Sequence, residues 1–193
     1  KGKEYTAEIK KIDPSRVYLL VRSENGIHET AAHADLRLYC AILKHAHFEF
    51  VVEKATEIGV TEIIPLLTER TVKKKVRLER LIDVAREAAE QSGRRFTQKI
   101  HEAEPFDDAA EKLPDAHSVL FFDPKGELLT PEFHADSKTT HIFIGPEGGW
   151  SDEELGVAEK RNWQIVSLGP AILRAETAAI IASYLAISAI RHE

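Results

Sequence analysis

The sequence predicts an α/β fold with a mostly parallel sheet covered by helices on both faces. Two observations carry that reading. From about Asp35 onward, short apolar strand patterns alternate with stretches of helical spacing. Two of the strands, Ser118–Phe122 and Thr140–Ile144, have the composition of strands buried on both faces. The chain shows no internal repeat and no low-complexity tract.

The first 30 residues are β-rich. Glu4–Lys10 alternates, and Arg16–Arg22 is an apolar strand, with turn residues at Asp13-Pro14-Ser15 and Glu24-Asn25-Gly26. Two strands alone do not make a stable domain. Residues 1–30 therefore read as the remnant of a small β-domain or as a hairpin docked on a main body that spans 35–193. The chain starts at Lys1 and has no methionine, so its N-terminus is read as incomplete.

The main body opens with a strand at Leu36–Leu43. Phe48–Ile58 follows as a helix, with Phe48, Val51, Val52, Ala55 and Ile58 on one face and Gly59 as its stop. Thr61–Leu67 is the next strand, Val76–Gln91 a long helix of mixed charge, Lys99–His101 a short strand and Pro105–Lys112 a short helix. Ser118–Phe122 is a strand stopped by Asp123-Pro124, and Thr140–Ile144 is another. Ser151 with Glu154 three residues on is a capping-box pattern, so a helix starts there. Gln164–Leu168 is a strand broken by Gly169-Pro170, and Ala175–Arg191 is a final apolar helix.

Composition narrows the class. A chain of 193 residues, 43% hydrophobic and 30% charged, buries a sizeable core without staples. Its single cysteine, Cys40, excludes an internal disulfide and reads as a small buried hydrophobe, which fits a reducing cytoplasm. No apolar run approaches the roughly 20 residues that span a bilayer, and no signal peptide is visible, so no membrane partner is expected. The net charge of −6 hides an asymmetry: Arg70 to Lys99 holds ten basic residues against four acidic ones. Such a stretch focuses an anionic ligand locally or forms a solvated helix face.

Three segments place costly residues in unusual positions. The first is Ile144-Gly145-Pro146-Glu147-Gly148-Gly149, a shaped loop at a strand's C-terminal end, where ligands of open α/β sheets bind. Its spacing is neither GxGxxG nor a P-loop; the alternative is an ordinary strand-to-helix turn. The second runs from Ser167-Leu168-Gly169-Pro170 through Ala171-Ile172-Leu173-Arg174 to Glu176-Thr177-Ala178. Glu176 gains from the helix dipole and Thr177 fits a cap, but Arg174 beside an apolar helix points to an anion or carboxylate. The third is Glu90-Gln91-Ser92-Gly93-Arg94-Arg95, where Gly93 fits a C-cap and the arginines oppose a negative helix end. His45 and His47 lie two apart without a third ligand nearby, so no metal is expected.

Taken together, these segments resemble the RsmE family of ribosomal RNA uridine-N3 methyltransferases, members of the SPOUT superfamily. The resemblance runs in order from about Ala41 to the end, through Phe48–Val60, Ile63-Ile64-Pro65, Thr68-Glu69-Arg70-Thr71-Val72, Glu90–Arg94, Ile144–Gly149 and Ser167–Ala178. It implies a SPOUT-type, mostly parallel sheet with a C-terminal trefoil knot, a rare exception to unknotted topology. It also implies a PUA-like N-terminal β-domain, of which residues 1–30 would be the last strands. S-adenosyl-L-methionine is the implied cofactor, bound mainly by backbone of three loops: Phe122; Ile144, Gly145, Pro146, Glu147 and Gly149; and Leu168, Gly169, Ile172 and Leu173, with Thr177. Small-subunit (16S) ribosomal RNA is the implied partner, contacted by Arg70, Gln91 and Arg94, and a homodimer is the implied assembly. Ala171 stands where many relatives have arginine, and Ala175 where many have threonine.

Methyl transfer to uridine N3 is an in-line displacement that depends on alignment. N3 must lose its proton, and the negative charge then spreads to the flanking carbonyl oxygens. On this reading Arg174 stabilises that charge, Arg94 orients RNA, and Glu147 and Glu176 are the candidates for the base. The target base leaves any helical stack to reach the pocket. The rivals are a SPOUT methyltransferase acting on tRNA, a noncatalytic RNA-binding module, and a nucleotide-dependent oxidoreductase, which the missing GxGxxG opposes.

Overall fold

The computed structural model describes residues 4–25, 35–44, 46–72, 75–94, 98–113, 118–130 and 139–190. His45 and Arg95, named above, lie outside them, as do Lys73 and Lys74 of the basic stretch. The chain divides into two compact units, residues 1–33 and 34–193.

The first unit is an antiparallel hairpin of β1 (Glu4–Asp13) and β2 (Arg16–Asn25), with Asp13 facing Arg16 across the turn. Both strands run three residues further than their apolar patterns. The ladder absorbs two register shifts, after Thr6 and after Ile9, and such bulges let pairing continue where side-chain alternation fails.

The second unit is a parallel sheet in the order β5-β4-β3-β8-β7-β9, with the two-residue β6 beside β4. Its strands are β3 (Asp35–Ala41), β4 (Glu62–Leu67), β5 (Lys99–Ile100), β6 (Glu104–Pro105), β7 (Val119–Leu128), β8 (Thr139–Ile144) and β9 (Gln164–Ser167). The helices are α1 (His47–Ile58), α2 (Leu78–Gln91), α3 (Phe106–Glu111), α4 (Asp152–Lys160) and α5 (Ala175–Ile190). A strand turns successive side chains to opposite faces, and here that splits the core in two. Leu38, Cys40, Leu120, Ile142 and Ile144 pack under Val51 and Val52 of α1, Leu81 of α2 and Ala179 and Ala182 of α5. Tyr39, Phe121 and Phe143 point the other way, toward Phe106 of α3, Ala158 of α4, Trp150 and Trp163. That second face is aromatic: Tyr39 stacks on Phe143 at 4.5 Å, and Phe121 lies 4.4 Å from Trp150, centroid to centroid.

Most element boundaries fall within a residue or two of the sequence reading. One expectation is corrected. Asp123-Pro124 does not stop its strand, because β7 continues to Leu128. Between Phe122 and Glu127 the ladder shifts register, and both residues face Val166 of β9. The Asp123 carboxylate accepts the Lys125 backbone N–H at 2.8 Å, forming a local turn that carries the donor-less proline outside the ladder. The expected capping box forms at Ser151 and Glu154.

At the N-terminal edge of this sheet, polar side chains bind one another. Arg37 contacts Asp35 at 2.8 Å and Glu62 at 3.4 Å, the Thr61 and Thr139 hydroxyls donate to Asp35, and His101 Nε2 meets Glu62. Burial pushes the Asp35 carboxyl up, but the Arg37 guanidinium and the two hydroxyls bring it below the usual carboxylate range.

Candidate active site

The opposite edge is built differently. Register sets Cys40, Ile144, Phe122 and Val166 level across β3, β8, β7 and β9. At this level β3, β8 and β9 end within a residue or so and β7 bulges, and a cavity of about 470 Å³ opens beside them. Its position at the carboxyl ends of parallel strands is where ligands of such sheets bind, and its volume suits a small organic molecule.

The Gly145–Trp150 loop forms one wall. A β-carbon on Gly145 would sit 3.0 Å from the Trp150 ring, so any larger residue would push against the indole that the loop lies on. The indole N–H donates to the Phe122 carbonyl at 2.9 Å, which fixes the neighbouring β7 backbone. Gly149 N–H closes the turn onto the Pro146 carbonyl at 2.9 Å. The Glu147 carboxylate accepts the Lys44 backbone N–H at 3.0 Å, tying this loop to the end of β3.

A second clamp holds the loop from outside. Buried Glu154 accepts the Ser151 N–H with one oxygen and the Glu69 N–H with the other, both at 2.9 Å. Arg70, next in the chain, donates to the Gly148 carbonyl at 3.1 Å. Thr68 and Thr71 share a buried hydroxyl contact at 2.7 Å that shapes the same turn.

The 167–174 segment forms the other wall. Gly169 has φ +114°, a conformation that L side chains rarely adopt. Beyond it Ile172 is 87% exposed and Leu173 half-buried. Exposed Arg174 stands just before α5, at the positive end of that helix, where a cation is electrostatically disfavoured. Glu176, one residue into α5, faces His47 at the start of α1, with Nδ1 to Oε1 at 2.9 Å. Burial pushes the Glu176 carboxyl up, but its own backbone N–H, the His47 ring and the Arg174 charge together hold it below its ordinary value.

Of the residues singled out from sequence, Phe122, Ile144, Gly145, Pro146, Glu147, Gly149, Leu168, Gly169, Ile172, Leu173, Arg174 and Glu176 all line the cavity. Thr177 does not, although its neighbours Glu176 and Ala178 do. It is not a cap either, since α5 begins at Ala175 and places it inside the first turn. Arg70 braces the cavity wall from outside. Gln91 is exposed at the end of α2, and the Arg94 side chain lies against Gly59. Gly59 caps the end of α1 opposite His47, roughly 18 Å away at 1.5 Å rise per residue, so Arg94 stands at the far end of that helix from the cavity-lining His47. Among the described residues no cluster of three or more His, Cys, Asp or Glu is arranged for a metal. Cys40 is fully buried, and burial holds its thiol well above the ordinary range. Sequence reasoning missed Trp150 as a cavity residue and weighed His47 only as a metal ligand. The signal for His47 was its position just past the C-terminal end of the sheet's central strand.

A family profile described as an RNA methyltransferase domain matches residues 30–187. A ribosomal RNA small subunit methyltransferase E from Mesomycoplasma hyopneumoniae is 37% identical over 150 residues, covering 74% of this chain and 65% of that protein. One from Rickettsia conorii is 34% identical over 182 residues, covering 93% of this chain and 74% of its own. The chain thus spans slightly less than two thirds of the first relative and about three quarters of the second. Among solved structures, a ribosomal RNA small subunit methyltransferase E from Neisseria gonorrhoeae, bound to S-adenosyl methionine, superposes with TM-score 0.85 at 28% identity, over 95% of this chain and 77% of that one.

Proposed function

Because the chain belongs to the RNA methyltransferase domain family, we propose that it transfers a methyl group from S-adenosylmethionine to N3 of a uridine in small-subunit ribosomal RNA. The observation that carries this reading is the cavity itself, formed by the Gly145–Trp150 and Ser167–Arg174 loops meeting at the carboxyl edge of the sheet. Its lining fits the cofactor. Apolar side chains such as Phe122, Ile144, Leu168 and Leu173 suit a flat base, and loop backbone offers donors and acceptors to a ribose and an amino acid. Glu147 and Glu176 suit a positive sulfonium.

When bound, the cofactor supplies an activated methyl group on a cationic sulfur. The chain's own residues supply alignment and charge. The loops hold the donor still, which is where most of the rate gain of a displacement arises. Arg174 is exposed at the cavity wall, where it stabilises the negative charge that develops on the uracil carbonyl oxygens. Arg70, braced on Gly148, meets RNA phosphate beside the cavity. Arg94 reaches RNA only at a distance from the cavity of its own chain. A homodimer supplies a reason for that separation, and α5 carries an exposed apolar face of Ile181, Tyr184 and Leu185 suited to such a contact. The reading includes a trefoil knot around the cavity, a PUA-like origin for residues 1–30 in the two-domain division 1–30 and 35–193, and a cytoplasmic enzyme. No described helix is long and apolar enough to cross a membrane.

The test is mass spectrometry of small-subunit ribosomal RNA after incubation with the chain and labelled S-adenosylmethionine. The expected product is a single N3-methyluridine. Label found only in tRNA supports the rival SPOUT enzyme, and no label with no cofactor binding supports a noncatalytic RNA-binding module.

A further inference from the structure

We propose that His47 is the base that takes the N3 proton, with Glu176 as the residue that positions its ring. The proposal rests on the methyl-transfer reading above and concerns the same cavity. Both side chains line it, one from the first turn of α1 and one from the first turn of α5. His47 Nδ1 lies 2.9 Å from Glu176 Oε1, and the glutamate side chain is 13% exposed against 41% for the histidine. A carboxylate less exposed than the imidazole in front of it is the arrangement by which a base is oriented and its protonated form stabilised.

Glu176 is held ionised, so it is a poor proton acceptor at neutral pH. As the hydrogen-bond acceptor from Nδ1–H it fixes the tautomer, which makes Nε2 the basic nitrogen. Among the described residues, the charged groups that share the cavity with the pair are Arg174, on the approach to α5, and Glu147, whose carboxylate accepts the Lys44 backbone N–H. In the step, the N3–H bond breaks toward His47 Nε2. The N3 electron pair forms the bond to the methyl carbon. The carbon–sulfur bond breaks, with its electrons passing to sulfur. The products are N3-methyluridine, S-adenosylhomocysteine and an imidazolium facing Glu176.

Single-turnover methylation is measured against pH for the wild type, His47→Ala and Glu176→Gln, with cofactor affinity by calorimetry and the Glu176 carboxyl titration by carbon NMR. His47→Ala is expected to lose roughly 100-fold or more in rate and to lose the decline toward acid pH, while cofactor affinity holds. The Glu176 titration is expected to move up when the imidazole is removed. Glu176→Gln is expected to slow the reaction about tenfold or more. A wild-type rate and pH profile in His47→Ala overturns the base assignment and leaves the methyltransferase reading intact. An unchanged rate in Glu176→Gln overturns the positioning role, even should His47→Ala fail to fold. A wild type that neither binds cofactor nor methylates RNA overturns the underlying reading, and this proposal with it.

Discussion

At the N-terminal edge of the parallel sheet, Asp35, Arg37 and Glu62 bind one another along with Thr61, Thr139 and His101; at the C-terminal edge, Glu147, Arg174 and Glu176 line a cavity. The strands are the same, and so is the alternation that directs their side chains. The difference lies in what leaves the strand ends. One edge presents threonine hydroxyls and paired charges, which satisfy each other. The other leads into glycine and proline turns that hold backbone apart and leave room for a ligand. Charges at the first edge are paired with one another, and those at the second face the cavity, where we propose they act on the reaction.

Three experiments sharpen or break this contrast. The largest effect is expected at the cavity. Arg174→Ala should lower methyl transfer by about 100-fold or more, with thermal stability unchanged because the side chain is exposed. Normal activity in that variant would remove Arg174 from the site.

The next effect belongs to the opposite edge. His141 is 6% exposed, and its Nδ1 finds no hydrogen-bond partner among the described residues. Burial, and then the nearby Arg37 charge, push its pKa down to about 4 from an ordinary 6.5. Between those values the unfolded chain holds a proton that the native state lacks, so stability should fall as pH is lowered. The slope is about 1.4 kcal/mol per pH unit, ending near pH 4. Urea denaturation at several pH values measures it, and His141→Phe should flatten the curve over that range. A slope that survives the substitution would assign the effect elsewhere.

The smallest effect is expected for Arg37→Ala. Its pairs are partly exposed, so the loss should be about 1 kcal/mol in stability. Calorimetry should find cofactor affinity unchanged, and a large drop in affinity would couple the two edges.

Much of the fold was legible because its signals are local. The apolar runs of β7 and β8, the capping box at Ser151 and the glycine stop of α1 each lie within one segment. The cavity walls were legible too, because glycine and proline at strand ends are costly unless shape is needed. What escaped depends on tertiary contact. Asp123-Pro124 reads as a stop, yet Val166 serves as partner on both sides of the bulge and carries β7 past it. The meeting of His47 and Glu176 joins positions more than a hundred residues apart, through two helices that start at the same sheet edge. The remote position of Arg94 follows from the length of α1, which spacing along the chain does not reveal.

The most direct measurement is a calorimetric titration of S-adenosylmethionine into the wild type and Gly169→Val. The wild type should bind one molecule per chain. The variant, forced to place a β-branched residue at φ +114°, should bind at least about tenfold more weakly. No binding by the wild type, or equal binding by both, would contradict the cavity as the methyl donor's site.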